Sequence, residues 1–205
     1  MKILNLYAGI GGNRKLWGDE HDITAIEWEP EIVAVYQDIF PNDKMVVVDA
    51  HDYLLKHYAE YDFIWSSPPC PTHSQMGRLR VLSAGKVKAK YPDMALYEEI
   101  LLLKHFFKGK WIVENVIAYY EPLIAPQTIQ RHHVWSNFFI PNIKLEKDEI
   151  EKGRISEWEE RFGYDLSKYS GLNKRTVLRN CVHPLLGKHI LHYAQQDLSN
   201  NLKML

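Results

Sequence analysis

The hydrophobic pattern opens with Ile3-Leu4-Asn5-Leu6-Tyr7, a short apolar run that breaks into Ala8-Gly9-Ile10-Gly11-Gly12. A run of that length entering a glycine turn predicts a buried strand leading to a helix. Residues 23–26 predict a second strand, and the spacing over 31–39, after Pro30, predicts a helix. Residues 45–48 predict a third strand closed by Asp49. Residues 63–65 predict a fourth, ending at Ser66-Ser67-Pro68-Pro69-Cys70. Over 95–107, Leu96, Ile100, Leu103 and Phe107 form one helical stripe. Residues 111–113 predict a fifth strand ending at Glu114-Asn115. Strand and helix alternate to about residue 115, which predicts an α/β chain with a mostly parallel sheet and helices on both faces. Beyond it the pattern changes. Residues 134–140 predict hairpin strands, and 182–197 predict a last helix with Leu186, Ile190 and Ala194 on the sheet.

Composition narrows the class. The chain has 205 residues, 46% hydrophobic and 25% charged, as in a single globular domain. These proportions exclude a disordered chain, a collagen-like repeat and a heptad coiled coil. Twenty-five Lys and Arg against 26 Asp and Glu leave a formal charge of −1, so any nucleic-acid partner must be held by a local patch. Two cysteines, Cys70 and Cys181, cannot build a disulfide scaffold. No apolar stretch approaches the roughly 18 residues of a membrane span, and no signal peptide precedes the first strand. A soluble protein of the cytoplasm is expected.

In parallel sheets ligands sit beyond the carboxyl ends of the strands. Here those ends carry Gly9, Glu27, Asp49, Cys70 and Glu114. A glycine turn or a capping carboxylate is ordinary when it stands alone, but five chemically capable positions at five successive strand ends point to a site. Prolines stiffen the turn before Cys70, presenting the thiol at a fixed angle as a nucleophile requires. Glu114 closes the neighbouring strand, where a carboxyl group could deliver a proton.

These residues resemble, in order, the motifs of the DNA (cytosine-5) methyltransferases. Residues 4–12 resemble the family's S-adenosyl-L-methionine loop, with Asn5 and Tyr7 in place of the usual Asp and Phe. Glu27-Trp28 resembles the acid that takes the ribose hydroxyls and the neighbour that packs on adenine, and Asp49 the acid that accepts from the adenine amine. Pro69-Cys70 resembles the catalytic Pro-Cys, here followed by Pro71 rather than Gln. Glu114-Asn115-Val116 is the Glu-Asn-Val signature. Arg131-His132-His133 sits where the family has Arg-x-Arg, with His133 for the second Arg. Arg179-Asn180-Cys181-Val182 resembles the closing motif, with Arg179 for a Gly.

The resemblance implies a Rossmann-like fold and methylation of cytosine at C5 in DNA. Cys70, Glu114 and Arg131 would be catalytic. Tyr7, Gly9, Gly11, Glu27, Trp28, Asp49, Pro69 and Asn180 would bind the cofactor, and no metal is implied. It also implies a covalent bond from Cys70 to cytosine C6 and a base flipped out of the duplex. Arg78, Arg80, Lys86, Lys88 and Lys90, with no acid among residues 76–91, follow the nucleophile and are expected to form a flexible phosphate-contacting loop. Residues 1–137 and 175–205 are expected to form the catalytic domain, and 138–174 a reduced target-recognition segment. Within it, residues 146–160 hold seven acids against three bases, more a solvated helix or loop than a DNA-contacting face. So short a segment predicts a recognition site of roughly two to four bases, or a separate target-recognition subunit. A tRNA cytosine-5 methyltransferase and a catalytically silent nucleic-acid-binding subunit are the alternatives. The absence of a Cys-Phe-Thr tripeptide after Glu114-Asn115-Val116 argues against the first, and retention of Cys70 and Glu114 against the second. A restriction companion, a phage protective enzyme and a housekeeping enzyme all stay open.

Overall fold

A computed structural model describes residues 1–84, 91–145 and 154–196. The chain begins with strand β1 (Lys2–Leu6), whose apolar residues are buried as the opening run predicts. Then come β2 (Asp22–Ile26), helix α1 (Pro30–Ile39), β3 (Lys44–Val46), α2 (Ala50–His57) and β4 (Phe63–Ser66). Helices α3 (Gln75–Ala84) and α4 (Ala95–Phe106) precede β5 (Lys110–Val116), β6 (Gln127–Ile129) and β7 (His132–Ser136). Helices α5 (Ile155–Phe162), α6 (Lys174–Asn180) and α7 (Pro184–Gln195) complete the order.

The strands form one sheet in the order β3-β2-β1-β4-β5-β7-β6. β1 to β5 pair in parallel, and β7 runs antiparallel to both β5 and β6. The order turns outward in both directions from β1 and β4. Connections leaving those two strands therefore diverge to opposite sides, opening a crevice beyond their carboxyl ends. The turns that occupy it are Tyr7–Gly12 after β1 and Ser67–Cys70 after β4.

Strand alternation sends successive side chains to opposite faces. Ile3, Ile23, Phe63, Trp65, Ile112 and Val134 pack with Leu186, Ile190 and Ala194 of α7, the three residues that the sequence places on the sheet. Ala25 on this face meets Tyr36 and Phe40 at the end of α1. Leu4, Leu6, Ile64 and Val113 face the other way, onto Leu54 of α2 and Leu96, Ile100 and Leu103 of α4. Helices thus cover both faces of a mostly parallel sheet, as expected. A third cluster joins Ile10, Val35, Trp158, Phe162, Val177 and Leu178 behind the glycine turn.

Several boundaries differ from the sequence pattern. The third strand stops at Val46, and Val47 and Val48 are exposed, because this edge strand pairs only with β2, which ends at Ile26. β5 continues through Val116, so Glu114 and Asn115 lie inside a strand rather than at its end; pairing with β7 as far as Val116 to His132 carries it on. The hairpin spans 127–136 rather than 134–140. Its turn is set by Gln130, at a left-handed φ of 55°. Phe138 and Ile140, expected in it, are core residues outside any strand. The basic stretch after Cys70 begins as helix α3, not as a loop. The acidic stretch carries the amphipathic helix α5, whose Trp158 and Phe162 are buried while Glu157 and Glu160 are exposed.

Candidate active site

The glycine turn is built by backbone geometry and two buried pairs. Gly11 has φ +77°, and a Cβ there would meet Phe40 Cε2 at 2.3 Å. A Cβ at Gly12 would meet Cys181 Sγ at 2.1 Å, so the turn can lie directly against the segment after α6 only because position 12 is bare. Asn5 and Asn13 exchange amide hydrogen bonds across the turn, at 2.7 and 3.4 Å. An amide, unlike the Asp usual at position 5, both donates and accepts in such a pair. Arg14, 3% exposed, is held by Asp43 through Nε at 2.9 Å and Nη2 at 3.0 Å.

Glu27 closes the turn from β2. Its Oε2 accepts from the Gly9 N–H at 3.0 Å, and Oε1 from the N–H groups of Trp28 and Glu29 at 2.8 and 3.2 Å. The neighbouring Trp28 is 67% exposed, an indole face left open beside a buried carboxylate. Asp49 caps α2, accepting from the Asp52 N–H at 2.9 Å through Oδ1, and its side chain stays at the surface. A Cβ on Gly9 would meet no atom within 4 Å, so the turn is open on that side. Exposed indole, two carboxylates and an open glycine turn fit an adenosine-bearing cofactor.

The turn that carries Cys70 is tied to β5 twice. Ser67 Oγ donates to Glu114 Oε2 at 2.8 Å while accepting from Trp65 Nε1–H at 2.8 Å. Asn115 Nδ2 donates to the Pro68 carbonyl at 2.9 Å. These ties bring Cys70 and Glu114 into one site. Burial, and then the Glu114 carboxylate, push the Cys70 thiol above its ordinary pKa, while the guanidinium groups of Arg179 and Arg131 act against both. Pro69, beside the thiol, is exposed. Cys181 is fully buried, its thiol pushed up to about 12, and behaves as a small packing residue.

Histidine 132, rather than His133, faces the carboxylate: its Nε2 lies 3.5 Å from Glu114 Oε1. Register explains the exchange. Glu114 pairs with Val134, so Val134 and His132 share its face, whereas His133 points to the opposite one, against Trp135. Ser66, Ser67, His132, Glu99 and His51 join the site without a role in the sequence motifs. A glutamate at position 99, inside the stripe of Leu96, Ile100 and Leu103, was the readable signal.

The chain matches the C-5 cytosine-specific DNA methylase family over residues 1–116, from β1 to the end of β5. It belongs to that family. The match contains the glycine turn, Glu27, Asp49, Cys70 and Glu114, and the family implies use of S-adenosyl-L-methionine. Among solved structures, a mutant of Spodoptera frugiperda DNMT2 is 25% identical, covering 56% of this chain and 35% of its own, with a TM-score of 0.39. The Entamoeba histolytica methyltransferase EhMeth is 14% identical, covering 77% of this chain and 59% of its own, with a TM-score of 0.45. The chain thus spans less than two thirds of either protein. No curated protein matches it.

The remaining sequence candidates lie around this centre or outside the described residues. Asn180 is the exposed last residue of α6, immediately before the Cys181 that abuts Gly12. Arg78 is exposed on α3, its guanidinium 5.2 Å from the ring centre of Tyr119, and Arg179 Nη1 lies 3.6 Å from Met76 Sδ. The Arg80 side chain and Lys86, Lys88 and Lys90 lie outside the described residues. Among the described residues no helix is long and apolar enough to cross a membrane.

Trp28→Ala should weaken S-adenosyl-L-methionine binding about tenfold through lost stacking and packing. Calorimetric titration checks it, and an unchanged Kd would remove Trp28 from the cofactor site.

Proposed function

We propose that this chain methylates cytosine at C5 in double-stranded DNA, through a covalent bond between Cys70 Sγ and C6 of a flipped base. The observation that carries the reading is the double tie from the Pro68-Pro69-Cys70 turn to β5, Ser67 to Glu114 and Asn115 to Pro68. It holds the turn that carries the proposed nucleophile against the strand that carries the proposed proton donor. Glu27, Asp49, Trp28 and the turn at Tyr7, Gly9 and Gly11 would hold the cofactor, which supplies an electrophilic methyl group. Pro69 and Asn180 would border it.

Cytosine C5 is a poor nucleophile until C6 is attacked. The Cys70 thiolate would add at C6 as Glu114 delivers a proton to N3, making C5 nucleophilic enough to take the methyl group, whose former bonding pair stays on the donor sulfur. A base would then remove the C5 proton, the pair left behind would expel Cys70, and the N3 proton would return to Glu114. Burial and the Glu114 charge raise the Cys70 thiol pKa, and the guanidinium groups of Arg179 and Arg131 act against that rise, so these two arginines would favour the thiolate. Ser67 donates to Glu114 Oε2 and His132 Nε2 lies 3.5 Å from Oε1, which would hold the carboxyl group in place.

DNA would be gripped by phosphate contacts from Arg78, Arg80, Lys86, Lys88 and Lys90, with affinity falling as salt rises. Such contacts carry no sequence information. Together with the burial of Trp158 and Phe162 in the core, this supports a short recognition site or a separate recognition subunit.

Labelled S-adenosyl-L-methionine offered with duplex DNA or with tRNA tests the reading, and bisulfite sequencing of the DNA product locates the modified base. Label is expected in DNA cytosine. Transfer only to tRNA would favour the RNA enzyme, and no transfer to either a silent subunit. Glu114→Gln should slow transfer at saturating DNA far more than it weakens DNA binding, because the proton matters in the transition state.

A further inference from the structure

Glu99 is completely buried on the apolar face of α4, and no step above uses it. Its Oε1 accepts from Tyr7 Oη at 2.7 Å and faces His51 Nδ1 at 3.1 Å. Its Oε2 accepts from the Ser66 hydroxyl at 2.5 Å. The three partners belong to three different parts of the crevice. Tyr7 follows β1 and opens the glycine turn, Ser66 ends β4 just before the catalytic turn, and His51 lies in the first turn of α2, next to the cap at Asp49. Adjacent serines divide the work across the sheet. Ser66 ties the start of the catalytic turn to Glu99 on one face, and Ser67 ties it to Glu114 on the other.

Two further observations give this cluster a functional sense. Tyr7 has φ +55°, a left-handed conformation that a bulky side chain disfavours, and its hydroxyl bond to Glu99 anchors it there. His51 Nε2 lies 3.3 Å from Glu98 Oε2 while Nδ1 faces Glu99, so both ring nitrogens meet carboxylate oxygens. A neutral imidazole donates at one nitrogen only; the imidazolium donates at both. The geometry therefore calls for a charged ring. The bond to Glu99 raises the His51 pKa, burial opposes it, and the charges of Glu99, Glu98 and Asp49 add to the rise. The Tyr7 phenol, pushed far up by burial and by Glu99, stays protonated throughout and only donates.

We propose that Glu99 is a positioning residue which, paired with charged His51, couples the cofactor turn at Tyr7 to the catalytic turn beginning at Ser66. This rests on the methyltransferase reading. Cofactor affinity then carries the titration of His51. It is full while the ring is charged and declines as pH rises through the raised pKa, because Glu98 and Glu99 then face a ring with one donor. The contribution of His51 to folding has the same sign, complete below the ordinary histidine pKa and lost through the raised one.

The test is the Kd for S-adenosyl-L-methionine, measured by calorimetry without DNA from about pH 6 to about pH 9, a span that brackets a raised histidine pKa. The wild-type chain should bind less tightly toward the alkaline end. Glu99→Gln and His51→Gln should bind about tenfold more weakly at the acid end, the effect of one lost charged hydrogen bond, and show a flattened profile. His57→Gln is the control. His57 is on the same helix, in an exposed pair with Glu60, and its loss should leave the wild-type profile intact. If Glu99→Gln fails to fold, as circular dichroism would show, His51→Gln carries the comparison. A His51→Gln profile parallel to wild type overturns the coupling. A wild-type chain that binds no cofactor overturns the methyltransferase reading, and the coupling with it.

Discussion

Replacing Cys70 with alanine should abolish methyl transfer while leaving the Kd for S-adenosyl-L-methionine within about twofold of wild type, well under one hydrogen bond's worth. The loss in turnover should be on the order of 10⁴-fold or more, the scale on which removing an attacking group acts. The asymmetry follows from geometry. The thiol is placed by the β4 turn, whereas the proposed cofactor contacts come from Glu27, Trp28, Asp49 and the glycine turn. Single-turnover transfer to duplex DNA measures the first quantity and calorimetry the second. Retained turnover would exclude the covalent route. The wild-type rate should also climb with pH, since burial and Glu114 hold the resting thiol protonated beyond its ordinary range. The variant has no such titration to show.

Asp43→Ala should destabilise the fold by about 3–5 kcal/mol, the cost of leaving a buried charge without its partner. Asp43 receives two hydrogen bonds from Arg14 and a third from Tyr36 Oη at 2.7 Å, and the guanidinium lies 4.9 Å from the centre of the Phe40 ring. With Asp43 removed, the ion pair left to Arg14 among the described residues is the one with the exposed Asp19, at 3.2 Å. Arg14 directly follows the Asn5–Asn13 pair, so loosening it should weaken cofactor binding too. Urea unfolding should show a lower midpoint at an unchanged slope. A loss below about 1 kcal/mol, the range of an exposed pair, would mean that Asp19 and solvent suffice for Arg14.

The residues of the candidate site were more legible in the sequence than the strand limits were. Cys70 behind two prolines and Glu114 after an apolar run could be read directly, because a nucleophile on a stiff turn needs those residue types in that order. Limits that depend on a neighbouring strand could not. β3 stops early for want of a partner beyond Ile26, and β5 runs on because β7 pairs with it as far as Val116. Neither partner can be seen from within the segment it limits.

By itself the sequence determined the alternation of strand and helix to about residue 115, the glycine turn, and the chemical identity of Cys70, Glu27, Asp49 and Glu114. Those follow from local periodicity and residue type, which any short window of chain contains. Only the tertiary structure decided which groups meet. Register put His132 rather than His133 on Glu114, and pleating sent Ser66 to Glu99 and Ser67 to Glu114. Chain return paired Arg14 with Asp43 and set Cys181 against Gly12. The physical reason is separation along the chain. Tyr7, His51, Ser66 and Glu99 come from four elements, and the sheet order beside the β1–β4 crevice alone makes one carboxylate serve them all.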